Sequence, residues 1–189
     1  TEELPPKSLL TLSRSFRQLV EDALAKAGIG HQGIEPYASP RRLALRIRGL
    51  AVSQPDQEIE KRGPAANAAF QPDGKPSKAL EGFLRGAGAT VDQLLTLETD
   101  KGAWVAVRQV VKGVETREIL PDLFRQALAG LPIAKRMRWG AGVAEFVRPV
   151  HWVVLLFGDE VIPAEILGVQ TGRVSRGHRF HCKTSIEIQ

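Results

Sequence analysis

Leu9, Leu12, Phe16, Leu19, Val20, Ala23, Leu24 and Ala27 recur at helical spacing. A helix over this stretch carries a continuous apolar stripe that must be buried against another element. Pro5 and Pro6 stand before the run and Gly28 after it, a start and a stop in the right order. A little further on, Leu43, Leu45 and Ile47 alternate with Ala44, Arg46 and Arg48, the period of a half-buried strand. A one-sided helix so close to a one-sided strand predicts a helix lying on sheet. Arg46 and Arg48 then share the other face of the strand and are expected to be solvated.

The rest of the chain repeats this pairing. Gln57 to Lys61 reads as a weaker strand, and Gly63-Pro64 to Gly74 as a loop. Ser77 can cap a helix carrying Leu80, Phe83 and Leu84 that ends near Gly86 and Gly88. Thr90 opens a short helical turn through Leu94. Asp100-Lys101-Gly102 is the turn of a hairpin with arms Leu95–Glu98 and Trp104–Val111. Ile119, Leu120, Leu123, Phe124, Ala127 and Leu128 predict another amphipathic helix, stopped by Gly130 and Pro132. Trp152–Phe157 and Val161–Val169 are expected to pair around Gly158-Asp159. Helices and hairpins interleave without regular β-α-β alternation. The predicted class is α+β, with amphipathic helices packed on antiparallel sheet. Residues 1–189 are expected to form one domain, with two subdomains joined near 112–118.

Of the 189 residues, 43% are hydrophobic. A chain of this length buries about 70% of its unfolded surface and needs no staple. Cys182 is the single cysteine and cannot form an internal disulfide, which fits a reducing cytosol. Val153-Val154-Leu155-Leu156-Phe157 is too short to span a bilayer and reads as a buried strand. With no charged-then-apolar leader in the sequence, a cytoplasmic chain without a membrane partner is expected. The formal charge is +5 and the pI near 9.7, which permits polyanion binding without demanding it. Distribution says more than the sum. No acid lies between Glu35 and Asp56, where Arg41, Arg42, Arg46 and Arg48 stand, nor between Glu165 and Glu187, where Arg173, Arg176, Arg179 and Lys183 stand.

Several motifs fail on context. Gly28-Ile29-Gly30-His31-Gln32-Gly33 has dinucleotide-loop spacing but follows a helix instead of a strand, so it reads as a helix cap and loop. In Gly74-Lys75-Pro76 the proline stands where a phosphate loop needs a metal-binding hydroxyl. Ser175 lacks the glycine spacing of a nucleophile elbow. His178, His181 and Cys182 cluster, but no second Cys or acidic ligand stands nearby, and no metal is expected. His151, beside Trp152, reads as a hydrogen-bonded packing residue. No catalytic residue is assigned.

The cations carry the stronger signal. In Leu131-Pro132-Ile133-Ala134-Lys135-Arg136-Met137-Arg138-Trp139-Gly140, three cations flank the only Met and one of three Trp residues. Lys135, Arg136 and Arg138 could neutralise phosphates while Trp139 stacks on a base or ribose. They could equally pair with carboxylates at a domain or subunit interface, with Trp139 packed inward. Arg41 and Arg42, at a strand start after Pro40, are further RNA-contact candidates. So are Arg173, Arg176, His178 and Arg179, where Gly172 and Gly177 let a backbone come close.

The same Leu131–Gly140 run, with Phe146-Val147-Arg148-Pro149-Val150-His151-Trp152, resembles the N-terminal part of the β subunit of the bacterial two-subunit glycine–tRNA ligase. Similar wording recurs, in order, at Thr1-Glu2-Glu3-Leu4-Pro5-Pro6, Ser39-Pro40-Arg41-Arg42-Leu43-Ala44, Asp73-Gly74-Lys75-Pro76, Glu98-Thr99-Asp100-Lys101-Gly102 and Gly177-His178-Arg179-Phe180. One departure is Cys182-Lys183, where that family often has a Pro-containing turn.

The resemblance implies a fragment of a longer β subunit, because that subunit continues far beyond this length and usually has an apolar strand before the Thr1 words. It implies an α subunit holding the class II site for glycine, ATP and Mg²⁺. It implies a β subunit that supplies tRNA(Gly) binding, with an anticodon-binding domain and an HD-like domain in its remainder, the whole forming a cytoplasmic heterotetramer. A weaker likeness is to the B3/B4 module of the phenylalanine enzyme's β subunit. Three functions follow as expectations. One is a noncatalytic tRNA-facing or scaffold part of the ligase, needing no cofactor of its own. The others are a stand-alone RNA-binding module and an editing-type deacylase of mischarged tRNA.

Overall fold

The structure, a computed structural model, describes residues 1–71, 74–99, 102–177, 181 and 184–189. The chain forms two compact units: Thr1–Gln54 together with Val114–Gln189, and Pro55–Gly113 between them.

Helix α1 covers Pro6–Lys26. Proline suits its first turn, where the backbone N–H has no helical partner. The buried residues Leu12, Ser13, Phe16, Val20 and Leu24 form the stripe that the spacing predicts. Strands β1 (Gly33–Ser39) and β2 (Arg42–Arg48) form an antiparallel ribbon. Ile34 faces Ile47, Pro36 faces Leu45 and Ala38 faces Leu43. Ile34, Leu43, Leu45 and Ile47 pack into the core built on α1. β1 is a strand that periodicity does not mark. Its Ile34-Glu35-Pro36-Tyr37 run lacks a clean apolar alternation, and Pro36 is tolerated because a two-stranded ribbon has only edge strands.

The inserted unit contains β3 (Gln57–Ala65), the four-residue α2 (Ala66–Ala69), α3 (Lys78–Ala87), β4 (Leu94–Thr99) and β5 (Gly102–Val111). Its antiparallel sheet runs β3-β5-β4. Ser77 caps α3, its hydroxyl accepting from Leu80 N at 3.3 Å, and Gly88 ends it in the left-handed region at φ 62. A 3₁₀ turn follows at Val91–Gln93, boxed by Thr90 and Gln93. The turn residues Asp100 and Lys101 lie outside the described residues.

The first part of the segment expected to be a loop, residues 63–69, is strand and helical turn. Gly63 to Ala65 complete β3 through a bulge between Arg62 and Ala65, and a helical turn follows. A Cβ on Gly63 would lie 2.7 Å from the Phe83 ring, so the glycine there admits α3 onto the sheet. Ala69, Leu80, Leu84, Val105 and Val107 are the core of this unit.

The chain leaves the first unit at Gln54 and rejoins it at Val114. Gln54 N–H donates to Val114 O at 2.9 Å, and Ser53 bridges Glu115. Helix α4 (Thr116–Ala129) follows, and its Leu123 and Ala127 join the α1 core. The remainder is short strands: β6 (Met137–Arg138), β7 (Glu145–Phe146), β8 (Val153–Val154), β9 (Leu156–Phe157), β10 (Glu160–Val161), β11 (Glu165–Ile166), β12 (Val169–Gly172), β13 (Val174–Arg176) and β14 (Ser185–Glu187).

The long hairpin expected around Gly158-Asp159 is cut to the two-residue arms β9 and β10. Pro163 stops the second arm, since it has no N–H to donate. The Thr171 hydroxyl closes the break, donating to Ile162 O at 2.6 Å and accepting from Ala164 N at 2.8 Å. β12 is thereby laid parallel to β8, with Thr171 opposite Val153. Apart from this parallel pair, the described strand pairs are antiparallel, and the fold is α+β. Among the described residues, no helix is long and apolar enough to cross a membrane.

Candidate nucleic-acid interface

The cations of the Lys135–Trp139 segment are placed by the end of α4 and by the β6–β7 ribbon. Arg136 Nη2 donates to Ala129 O at 2.7 Å and to Leu131 O at 3.5 Å. The helix ends there, and its last carbonyls carry partial negative charge. Arg138 sits opposite Glu145 in the ribbon and pairs with it at 3.5 Å. Trp139 is half-buried and packs on the α1 core. Lys135 is exposed and makes no ion pair with a described residue.

Arg41 holds the first residues of the chain. Its Nε donates to Thr1 O at 3.2 Å, and its Nη2 lies 3.7 Å from Glu2 Oε2. Arg42 donates from Nη2 to Arg176 O and to Gly177 O, the latter at 3.4 Å. The start of β2 and the end of β13 are therefore brought together, with the Arg42 and Arg176 side chains both exposed. Arg173 Nη2 donates to Asp159 O. His178 and Arg179 lie outside the described residues, as does Cys182 of the small His/Cys cluster. Among the described residues, no three His, Cys, Asp or Glu side chains are grouped to hold a metal.

The glycine motif at Gly28–Gly33 runs from α1 into β1, helix to strand, so it offers no helix N-terminus to a pyrophosphate. His151 Nε2 is hydrogen-bonded to Glu2 Oε1 at 2.8 Å, and its ring stacks beside Trp152 at 6.4 Å. A concavity of about 700 Å³, open to solvent, is lined by Glu2, Glu3, Arg148 and neighbouring prolines. Arg148 Nε is engaged there with Glu3 O at 3.1 Å.

The geometry thus supplies two groups of exposed cations, one on β2 and β13 and one after α4. A family model described as "Glycyl-tRNA synthetase beta subunit" matches residues 1–189. The chain belongs to the glycyl-tRNA synthetase beta subunit family. A glycine–tRNA ligase beta subunit of Marinobacter nauticus is 56% identical over 188 residues, covering 100% of this chain and 27% of that protein. One from Citrobacter koseri is 55% identical over the same span, and one from Salmonella paratyphi B is 57% identical over 180 residues, or 95% of this chain. The chain spans about a quarter of the length of these relatives.

Within this member of the glycyl-tRNA synthetase beta subunit family, Tyr37 carries no signal of its own in the sequence and Arg46 reads there only as a solvated strand residue. Tyr37 is 54% exposed on β1 and lies opposite Ala44. Its signal appears only once Ile34–Ser39 is recognised as a strand paired with β2. For the helix-end role of Arg136, a cation soon after a helix stop is the available signal.

Proposed function

We propose that this chain is the N-terminal part of the β subunit of a two-subunit glycine–tRNA ligase. In that role it contributes tRNA binding and subunit assembly to the ATP-dependent glycylation of tRNA(Gly), and is not itself catalytic. The observation that carries the reading is the 55–57% identity to glycine–tRNA ligase beta subunits along nearly the whole chain. The α subunit would hold the glycine site and use ATP and Mg²⁺, in a cytoplasmic heterotetramer completed by the remainder of β. Exposed Arg42, Arg46 and Arg176 support a polyanion as one partner. The internal engagement of Arg136, Arg138 and Trp139 supports a structural part for the Lys135–Trp139 segment.

Four assays test this. Glycine-dependent ATP–pyrophosphate exchange by this chain without α subunit should be undetectable; exchange would refute the noncatalytic role. Titration of labelled tRNA(Gly) at several salt concentrations should give a log–log slope of roughly −3 to −5 if about four to six phosphates are neutralised. Assembly with the α subunit separates a ligase part from a stand-alone RNA-binding module. Release of amino acid from mischarged tRNA by the chain would replace both with an editing deacylase.

A further inference from the structure

We infer that the outward face of the β1–β2 ribbon is a stacking platform for an unpaired RNA base, with Tyr37 as the stacking residue and Arg42 and Arg46 as phosphate contacts. The inference rests on the RNA-binding reading above and adds a site and residues to it.

The register divides the ribbon. Ile34, Pro36, Ala38, Leu43, Leu45 and Ile47 take one face, and its Ile and Leu residues enter the α1 core. Glu35 with Arg46, Tyr37 with Ala44, and Ser39 with Arg42 take the other. Directly opposite residues on one face are close enough to cover each other, and diagonal neighbours stand about 7–8 Å away. Ala44 is too small to cover the Tyr37 ring. Arg42 and Arg46 occupy the two diagonals and are both exposed on this face, with the Arg42 guanidinium held toward the end of β13 by Arg176 O and Gly177 O.

The ring is also held. Tyr37 Oη donates to Glu35 Oε2 at 2.9 Å, and Glu35 Oε1 pairs with Arg48 Nη2 at 2.6 Å. A ring fixed by its hydroxyl needs less ordering when a base lands on it. Glu35 is committed to Arg48, and Arg46 is exposed with no ion pair to a described residue. Three arginines against one acid leave the face cationic. Apart from Tyr37 it offers only the Ala44 methyl as apolar surface. A protein interface core is more apolar and depleted in charge, whereas an aromatic flanked by cations is the chemistry that takes a base and its phosphates.

Tyr37 is the only tyrosine in the chain, so selective ring labelling gives one resonance. An oligoadenylate of about twelve nucleotides should shift that resonance upfield. Tyr37→Ala should weaken binding of the oligoadenylate and of tRNA(Gly) roughly 5- to 100-fold, while Tyr37→Phe, which keeps the ring, stays close to wild type. Arg46→Gln should flatten the salt slope by about one. Both side chains are exposed, so the thermal midpoint should not move. If tRNA binds but the resonance is unmoved and Tyr37→Ala binds as wild type does, the platform is overturned and the RNA-binding reading survives. If wild type binds no RNA at any salt, both fall. If Tyr37→Ala weakens only assembly with the α subunit, the face is a protein contact and the platform is overturned.

Discussion

At the scale of single residues, the same side-chain chemistry does different things according to what lies within reach. Arg136 and Arg138 sit two positions apart, yet one holds the carbonyl end of a helix and the other an exposed carboxylate. Arg136→Ala should therefore cost about 1 kcal/mol of stability, read as a lower urea midpoint, and leave an RNA salt slope unchanged. Arg138→Ala should cost less than about 0.5 kcal/mol, because an exposed pair is screened and entropically loose. Thr116 is fully buried; its hydroxyl donates to Ala51 O at 2.7 Å and its N–H to Val52 O at 2.8 Å. Thr116→Val keeps the shape but takes the donor from the part-buried Ala51 carbonyl. The expected loss is about 1–2 kcal/mol by denaturant unfolding. Leu167, at φ 53, is the one described non-glycine residue with positive φ. Such a conformation costs roughly 1–2 kcal/mol, and the side chain offsets it by packing against two core clusters.

Elements are decided by where their apolar faces and their breaks fall. The stripe of α1 and the alternation of β2 are complete within their own segments, so periodicity alone predicts both. β1 and β3 are different. Their backbone is fixed by partners: β1 by the strand after it, and β3 by β5, which lies far along the chain. Gly63 looks like a loop residue in the sequence, but in the fold it is the gap that the Phe83 ring enters. Gly63→Ala should destabilise the inserted unit by about 1–3 kcal/mol through this clash. Hydrogen exchange should quicken at α3 and β3 amides; unchanged exchange there would remove the close-approach account. Pro163 gives a converse case, since it could be seen to break a strand but not where the chain would go next. The Thr171 hydroxyl decides that by bonding across the break.

For the whole molecule, the decisive fact is that Pro55–Gly113 has its own core and leaves from adjacent strands of backbone. The bond between Gln54 N and Val114 O, with the Ser53–Glu115 bridge, closes the first unit at the point of insertion. Replacing Pro55–Gly113 by a short glycine linker should leave the first unit folded, because no buried residue of the α1 core is removed. An amide spectrum that keeps the dispersed resonances of α1, β2 and α4 would be the expected result. A collapsed spectrum would show that the inserted unit supports the fold. The salt slope for RNA of the shortened chain should match that of the full chain if the phosphate contacts are Arg42 and Arg46, which both lie outside the insert.

The sequence by itself determined the α+β class, the spans of α1, α3, α4 and β2, and the family, since these rest on local periodicity, caps and runs of residues read in order. It also put Arg41, Arg42, Lys135, Arg136, Arg138, Trp139, Arg173 and Arg176 forward as cations and aromatics worth placing. Only the tertiary structure decided what each meets. It joined Arg42 to the end of β13, 134 residues away, set Arg136 on the end of a helix, turned Trp139 to the core and left Tyr37 exposed on the face that Arg42 and Arg46 share. Those outcomes depend on strand register and on packing between distant segments, and a one-residue change of register would turn Tyr37 to the buried face and Ile34 to solvent.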